Sequence, residues 1–194
     1  MVVAANCDSC GFRVVRRVEW NSATDGAKPD VSFLPMLERR RLTSLERAAL
    51  HVAWKAFHGE GIDGSLPAAS DVPVVFSSRW GEMGVTLKLM RQMHSEGEMS
   101  PAGFSSSVHN AAPGAWSLFT GNKKPYTAIS ARDKSYDMGL LEAKAQLAAG
   151  VPYVLYVYAE ESTPDGYRPV FGNPVEAHSV AMLLAGTKSA EGCK

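Results

Sequence analysis

The 194-residue sequence predicts a layered α/β domain, and two observations carry that expectation. Short apolar runs of strand character alternate along the chain with segments of helical periodicity. One run, "VPYVLYVYAEE" (Val151 to Glu161), is apolar on both alternating sets: Val151, Tyr153, Leu155, Val157 and Val154, Tyr156, Tyr158. A strand buried on both faces belongs in the middle of a parallel sheet. The length and an apolar content of 45% suit a single domain with its own core.

The elements follow in order. "FRVVRRVEW", Phe12 to Trp20, sets Phe12, Val14 and Val18, Trp20 against Arg13 and Glu19, and reads as a first strand or hairpin arm. Asn21 to Asp30, rich in Asn, Asp, Gly and Pro, is loop. "LTSLERAALHVAWKAF" is the strongest helix, because Leu42, Leu45, Ala49, Val52 and Ala56 share one face. Thr43 and Glu46 give it a T-x-x-E capping box, and a Gly- and Pro-containing loop ends it.

"VPVVFSS", Val72 to Ser78, is a short buried strand. A helix in "EMGVTLKLMRQMHSEG" places Met83, Leu87, Met90 and His94 or Met93 at helical spacing. A further helix in "SSSVHNAAPGAWSLFTG" puts Val108, Ala111 or Ala112, Ala115, Trp116 and Phe119 on one side. "YTAIS" is the next strand. "SYDMGLLEAKAQLAAG" is apolar or small almost all round, which predicts burial between layers, with Gly150 as its C-cap. "HSVAMLLAG" fits strand or helix by pattern alone, and Asn173-Pro174 fits a helix cap.

Composition narrows the function classes. A formal net charge of zero argues against a surface that tracks nucleic-acid phosphates, and the longest basic run is only Arg39-Arg40-Arg41, preceded by Glu38. No apolar run approaches the roughly 18 residues of a membrane span, and "MVVAANCDSC" lacks the pattern of a secretory signal. Three cysteines, Cys7, Cys10 and Cys193, suit a reducing compartment, so the cytoplasm is the expected location. Cys7-x-x-Cys10 has no second ligand pair for zinc and does not sit between a strand and a helix, so neither a metal nor any other cofactor is expected.

The segment Pro125 to Gly150 reads as a strand, a tight polar turn and a helix, the shape that presents a nucleophile in acyl-transfer folds. The bend here is Ala131-Arg132-Asp133-Lys134, without a cysteine. Its hydroxyls are Ser130, which ends the strand, and Ser135, read as the N-cap of the helix. His109 and Asn110 follow Ser105, Ser106 and Ser107, but no G-x-S-x-G motif is present, so the serines read as an N-cap and His109 as a structural hydrogen-bonding residue. Met83, Met90, Met93, Met99 and Met138 read as core filling, with a pliable lining for a long apolar ligand as the sharper alternative. The charges of Arg132, Asp133 and Lys134 suit either a solvated turn or an interface in which they pair.

Four stretches, "FLPMLERRRLTSLERAALHVAW", "SPAGFSSSVHNAAPGAWSLFTG", "YTAISARDKSYDMGLLEAKAQLAAG" and "PYVLYVYAEE", together resemble the β-ketoacyl synthase-like N-terminal domain, in the short chain-length-factor form of aryl polyene and xanthomonadin-type pigment pathways. The resemblance runs from about Val31 to Ala185, and its most specific piece is the S-P-x-x-F-S-x-S-V-H-N-A-x-x-G pattern. It implies a single thiolase-like half-domain over residues 1–194, layered α-β-α, with a mixed central sheet and a buried helix, Ser135 to Ala149, after the nucleophile elbow. The core would span about 31–185, with flexible ends at 1–11 and 186–194. It also favours a strand for "HSVAMLLAG". The catalytic cysteine of an active synthase would fall at Arg132 or Asp133, and the second half-domain with the catalytic histidines has no room in 194 residues.

The resemblance therefore implies a non-catalytic subunit that pairs with an active ketosynthase and meets acyl carrier protein only indirectly. When it is alone, a homodimer is open to it, and the sequence does not fix that state. The interface residues would be Tyr126, Ala128, Ser130, Arg132 and Asp133, with Arg132 and Asp133 paired to each other or across the interface. Phe104, Trp116, Phe119 and Met138, chosen for size, would wall the acyl tunnel. Two rivals stand beside it: a stand-alone protein that binds acyl chains, lipid or carrier, and a serine acyltransferase or hydrolase using Ser130 or Ser135 with His109.

Overall fold

The computed structural model describes residues 11–26, 28–59, 66–165, 167 and 175–187. Cys7, Cys10, Cys193 and Asn173-Pro174 lie outside them. Among the described residues five strands form one sheet: β1 (Phe12–Asn21), β2 (Val74–Ser77), β3 (Tyr126–Ile129), β4 (Tyr153–Glu160) and β5 (His178–Gly186). Their spatial order is β1-β5-β4-β2-β3. β2 runs parallel to both β3 and β4, whereas β5 is antiparallel to β4 and β1, so the sheet is mixed as expected. β1 and β3 are its edges.

The α-helices of the described residues are α1 (Met36–Arg39), α2 (Ser44–His58), α3 (Met83–Glu96), α4 (Pro101–Ser105), α5 (Ala111–Thr120) and α6 (Ser135–Ala148). α2 and α5 cover one face of the sheet. Leu45, Ala49, Val52 and Ala56 of α2 meet Leu155, Val157, Ala181 and Leu183 in the larger core. The start of α2 is locally encoded: the Thr43 hydroxyl accepts from the Glu46 amide at 3.0 Å, and the Glu46 carboxylate accepts from the Thr43 amide at 2.8 Å.

α6 covers the opposite face through a narrow stripe, Ser135, Gly139, Ala143 and Leu147, packed towards Val75, Val154, Tyr156 and Leu184. The stripe is small because the approach is close. A Cβ on Gly139 would lie 2.6 Å from both the Ser77 hydroxyl and Cε2 of Tyr156. Those side chains cannot retreat, since Ser77 donates to the Tyr156 hydroxyl at 2.9 Å and that hydroxyl donates to the Tyr136 carbonyl at 2.7 Å. Gly139→Ala is therefore expected to lower stability. Overpacking costs about 3 kcal/mol and better helix propensity returns about 1. The net fall in melting temperature is about 6 °C, measurable by calorimetry.

Several expectations change here. α6 is not buried between layers: Met138 and Leu141 on its outer side are exposed, because no element of the described chain covers that side. α3 does not bury the Met90 and Met93 face; both are exposed, and the helix is anchored by Met83 and Leu89. Val108 precedes α5 and is exposed, leaving Ala112, Pro113 and Trp116 as its buried residues. Ser105, Ser106 and Ser107 do not cap α5. Their hydroxyls donate back to carbonyls of α4, whose own cap is Ser100, and the α5 N-cap is Asn110 without a side-chain bond. "HSVAMLLAG" is a strand, hydrogen-bonded on both sides by β1 and β4. Among the described residues no helix is long and apolar enough to cross a membrane.

Candidate functional site

The carboxyl ends of β2, β3 and β4 open on one edge of the sheet, where parallel α/β architectures assemble ligand and reaction sites. After β3 the chain bends sharply through Arg132–Lys134 into α6. Arg132 has φ 52°, the only positive φ on a non-glycine among the described residues. A left-handed residue at a strand-to-helix bend is the backbone signature of a nucleophile elbow, and it costs of order 1 to 3 kcal/mol that the surroundings must offset.

Ser135 supplies part of that support. Its hydroxyl accepts from the Ala131 amide at 2.9 Å and donates to the Arg132 carbonyl at 2.7 Å, closing the bend from inside. Ser135 is thus not the N-cap of α6, which is Lys134; it is fully buried and spans the elbow. Ser130 donates to the Arg79 carbonyl at 3.0 Å. Both hydroxyls at the bend are committed to backbone carbonyls.

Arg79, just past β2, reaches Asp133 with Nη1 to Oδ1 at 2.7 Å and lies over the Trp80 ring at 4.5 Å. Asp133 therefore pairs within the chain, and with Arg79 in place of Arg132. The β2–α3 turn that presents Arg79 is fixed by Glu160 at the end of β4. The Glu160 carboxylate accepts from the Arg79 amide and from the Ser78 hydroxyl (3.2 Å), and Ser78 in turn accepts from the Gly81 amide at 2.8 Å. Burial pushes the Glu160 carboxyl above its ordinary range against those hydrogen bonds.

His109 stands beside the elbow. Its Nε2 lies 2.9 Å from the Ile129 carbonyl, so that nitrogen carries the proton and donates to β3. Gly81, at φ 64°, leaves room for the ring: a Cβ there would fall 2.8 Å from Nδ1. Asn110 donates to the Tyr126 hydroxyl at 3.3 Å. The two residues hold β3 against the α4–α5 segment. Tyr126, Ala128, Ser130, Arg132 and Asp133 all lie on β3 or the bend, whose outer edge has no strand neighbour among the described residues.

The four proposed tunnel residues do not gather in one place. Trp116 fills the α2-side core and Phe119 packs beside it against Phe33 and Trp54. Phe104 is exposed on α4, and Met138 is exposed on α6 across the sheet. Sequence reasoning missed Arg79, Glu82, Glu160 and Glu161. The available signal was the Glu160-Glu161 pair at the carboxyl end of the one strand apolar on both faces, the end at which sites collect.

This fold, a mixed five-stranded sheet with an elbow and a covering helix, is a thiolase-like half-domain. The chain belongs to the family described as beta-ketoacyl synthase, N-terminal domain, which matches residues 15–193. No curated protein matches it significantly. Among solved structures it is similar to a chain of the ketosynthase (ApeO) in complex with its chain length factor (ApeC) from Xenorhabdus doucetiae. That match has 27% identity and a TM-score of 0.69, covering 80% of this chain and 63% of the other. The ishigamide ketosynthase/chain length factor matches at 18% identity and TM-score 0.67, over 81% and 47% of the two chains. AntDE:AntF, a type II PKS acyl-carrier protein in complex with its ketosynthase, matches at 14% identity and TM-score 0.68, over 81% and 51%. The last two show the fold alone. The chain spans 46% to 63% of the length of the solved chains it matches.

Proposed function

We propose that this chain is a non-catalytic ketosynthase-like subunit that pairs with an active β-ketoacyl synthase and shapes its acyl tunnel, as a chain-length factor of aryl polyene or related synthesis. One observation carries the reading: the chain makes the elbow bend, and Ala131-Arg132-Asp133-Lys134 holds no cysteine. Condensation needs a thiolate to hold the acyl chain. Here the left-handed position is Arg132, the next residue is an aspartate bound by Arg79, and both neighbouring serines are tied to backbone. The similarity to a ketosynthase–chain length factor complex supports the same role.

Pairing would use β3, whose outer backbone groups call for a partner strand. Tyr126, Ala128, Ser130, Arg132 and Asp133 would then lie at the interface, and Arg79 with Asp133 would present a fixed ion pair to the partner's active-site mouth. Phe104 and Met138 are the exposed members of the proposed tunnel wall, with Trp116 and Phe119 as packed support behind it. The serine-hydrolase reading is disfavoured, because neither Ser130 nor Ser135 has a base and both hydroxyls already donate.

Co-expression with a ketosynthase from the same locus tests the reading. The expected result is co-elution as a heterodimer, and a product series lengthened when Phe104 or Met138 is cut back to alanine in the complex. Separate elution of the two proteins, or covalent labelling of Ser130 or Ser135 by a serine-reactive probe, overturns it.

A further inference from the structure

We propose that the cleft between β1 and the C-terminal half of α2 binds a phosphate group, free or esterified to a small molecule. The cleft holds about 620 Å³, within the range of small-molecule sites, and lies at the β1 edge, away from β3 and the elbow. It stands independently of the pairing proposed above.

Arg16 is its floor. Only 7% of Arg16 is exposed, Nη1 donates to the Gly59 carbonyl at 3.3 Å, and the buried Nε has no hydrogen-bond partner among the described residues. Among the described residues no carboxylate lies within ion-pair distance of it. A buried guanidinium without a counter-charge is costly, so an anion from outside completes it. Of the cleft's own acids, Glu19 accepts from Arg17 Nε at 2.6 Å and is paired there, while Asp30 accepts from the Ser32 amide at 2.8 Å and keeps its charge, so Arg16, Arg17 and Lys55 leave the cleft one positive charge in excess.

Further cationic character comes from α2. Lys55 is exposed on the rim and forms no ion pair among the described residues. Capping the end of α2 uses one of the five guanidinium N–H groups of Arg16, which leaves its planar fork for a bidentate oxyanion. Charge from two separate elements suits a dianion such as phosphate better than a lone carboxylate. The organic part of an ester has a wall to lie on: Phe33, Trp54 and His58 stack in series, with centroids 4.6 and 3.5 Å apart.

The test is titration calorimetry of the full chain with inorganic phosphate and, in a second arm, with adenosine 3′,5′-bisphosphate. Saturable binding at millimolar concentration or below is expected in at least one arm. Tighter binding of the bisphosphate identifies an esterified ligand, and equal binding identifies the free oxyanion. Lys55→Ala, on the exposed rim, is expected to weaken binding about tenfold with an unchanged circular-dichroism spectrum, and Arg16→Gln to abolish it. No saturable heat in either arm overturns the proposal. So does unchanged affinity in K55A, whether or not the Arg16 variant folds, because the ligand would then bind outside this cleft.

Discussion

Glu82→Gln is expected to remove the steepest part of a stability loss that the native protein undergoes as pH rises from about 4.5 to about 8. Glu82 is 3% exposed at the start of α3. Its Oε1 accepts from the Thr43 hydroxyl at 2.7 Å, while its Oε2 is buried without a partner. Burial, with the like charges of Glu46 and Glu161 nearby, pushes its carboxyl up to about 8. The folded state therefore keeps a proton that the unfolded chain releases near 4.5. Stability from this group is complete below the unfolded value and is lost as pH climbs through the folded one, a change of about 5 kcal/mol across the window.

Glutamine copies the neutral acid and keeps an acceptor for Thr43. Urea midpoints at pH 5 and pH 8 measure the effect: the native protein loses midpoint between the two, and E82Q loses much less. Burial also raises Glu46, Glu160 and Glu161, and these leave a shallower slope of the same sign in the variant. Equal midpoints for the native protein at both pH values would refute the assignment.

Trp116→Ala is expected to be the most destabilising single truncation in the α2-side core. Trp116 is 2% exposed, faces the Phe57 ring at 6.0 Å and meets Phe119 edge-on at 6.5 Å. Its indole nitrogen is buried without a partner, so the loss is one of apolar packing. Removing an aromatic of this size costs about 3 to 5 kcal/mol, or roughly 10 °C in melting temperature for a domain this long. Trp116→Phe, which keeps most of the ring and loses no hydrogen bond, is expected to cost less than about 1.5 kcal/mol. A comparable fall in both variants would mean that the indole N–H matters after all. The contrast also bears on the proposed tunnel: a product change in W116A would be confounded by unfolding, whereas truncating Phe104, exposed on α4, tests the proposed wall without that penalty.

Much of the architecture was legible because it is written locally. The Thr43–Glu46 box and the apolar face of α2 depend on residues within a turn or two of each other, and both appear as read. The bend at Ala131–Lys134 was equally visible from its polar residues between a strand and a helix. Gly139 was visible only as a small residue in a helix; its necessity comes from Ser77 and Tyr156 on two other strands. The serine run misled because Ser105 to Ser107 turn back on α4, a choice made by a short helix that apolar periodicity does not reveal. "HSVAMLLAG" was ambiguous because Ala, Met and Leu have no strong strand preference, and pairing with β1 and β4 on either side decided it.

The amino-acid sequence by itself determined the order and kind of most elements, the family, and that the bend at Ala131–Lys134 carries no cysteine, since these rest on neighbours along the chain. Only the tertiary structure decided that, among the described residues, β3 is an edge strand and α6 leaves Met138 and Leu141 exposed, and that Asp133 pairs with Arg79. It also placed four glutamates, Glu46, Glu82, Glu160 and Glu161, where burial raises their proton affinity. The physical reason is separation. Thr43 and Glu82 are 39 residues apart, and Arg79 and Glu160 are 81, so no local pattern records the contact that sets their charge.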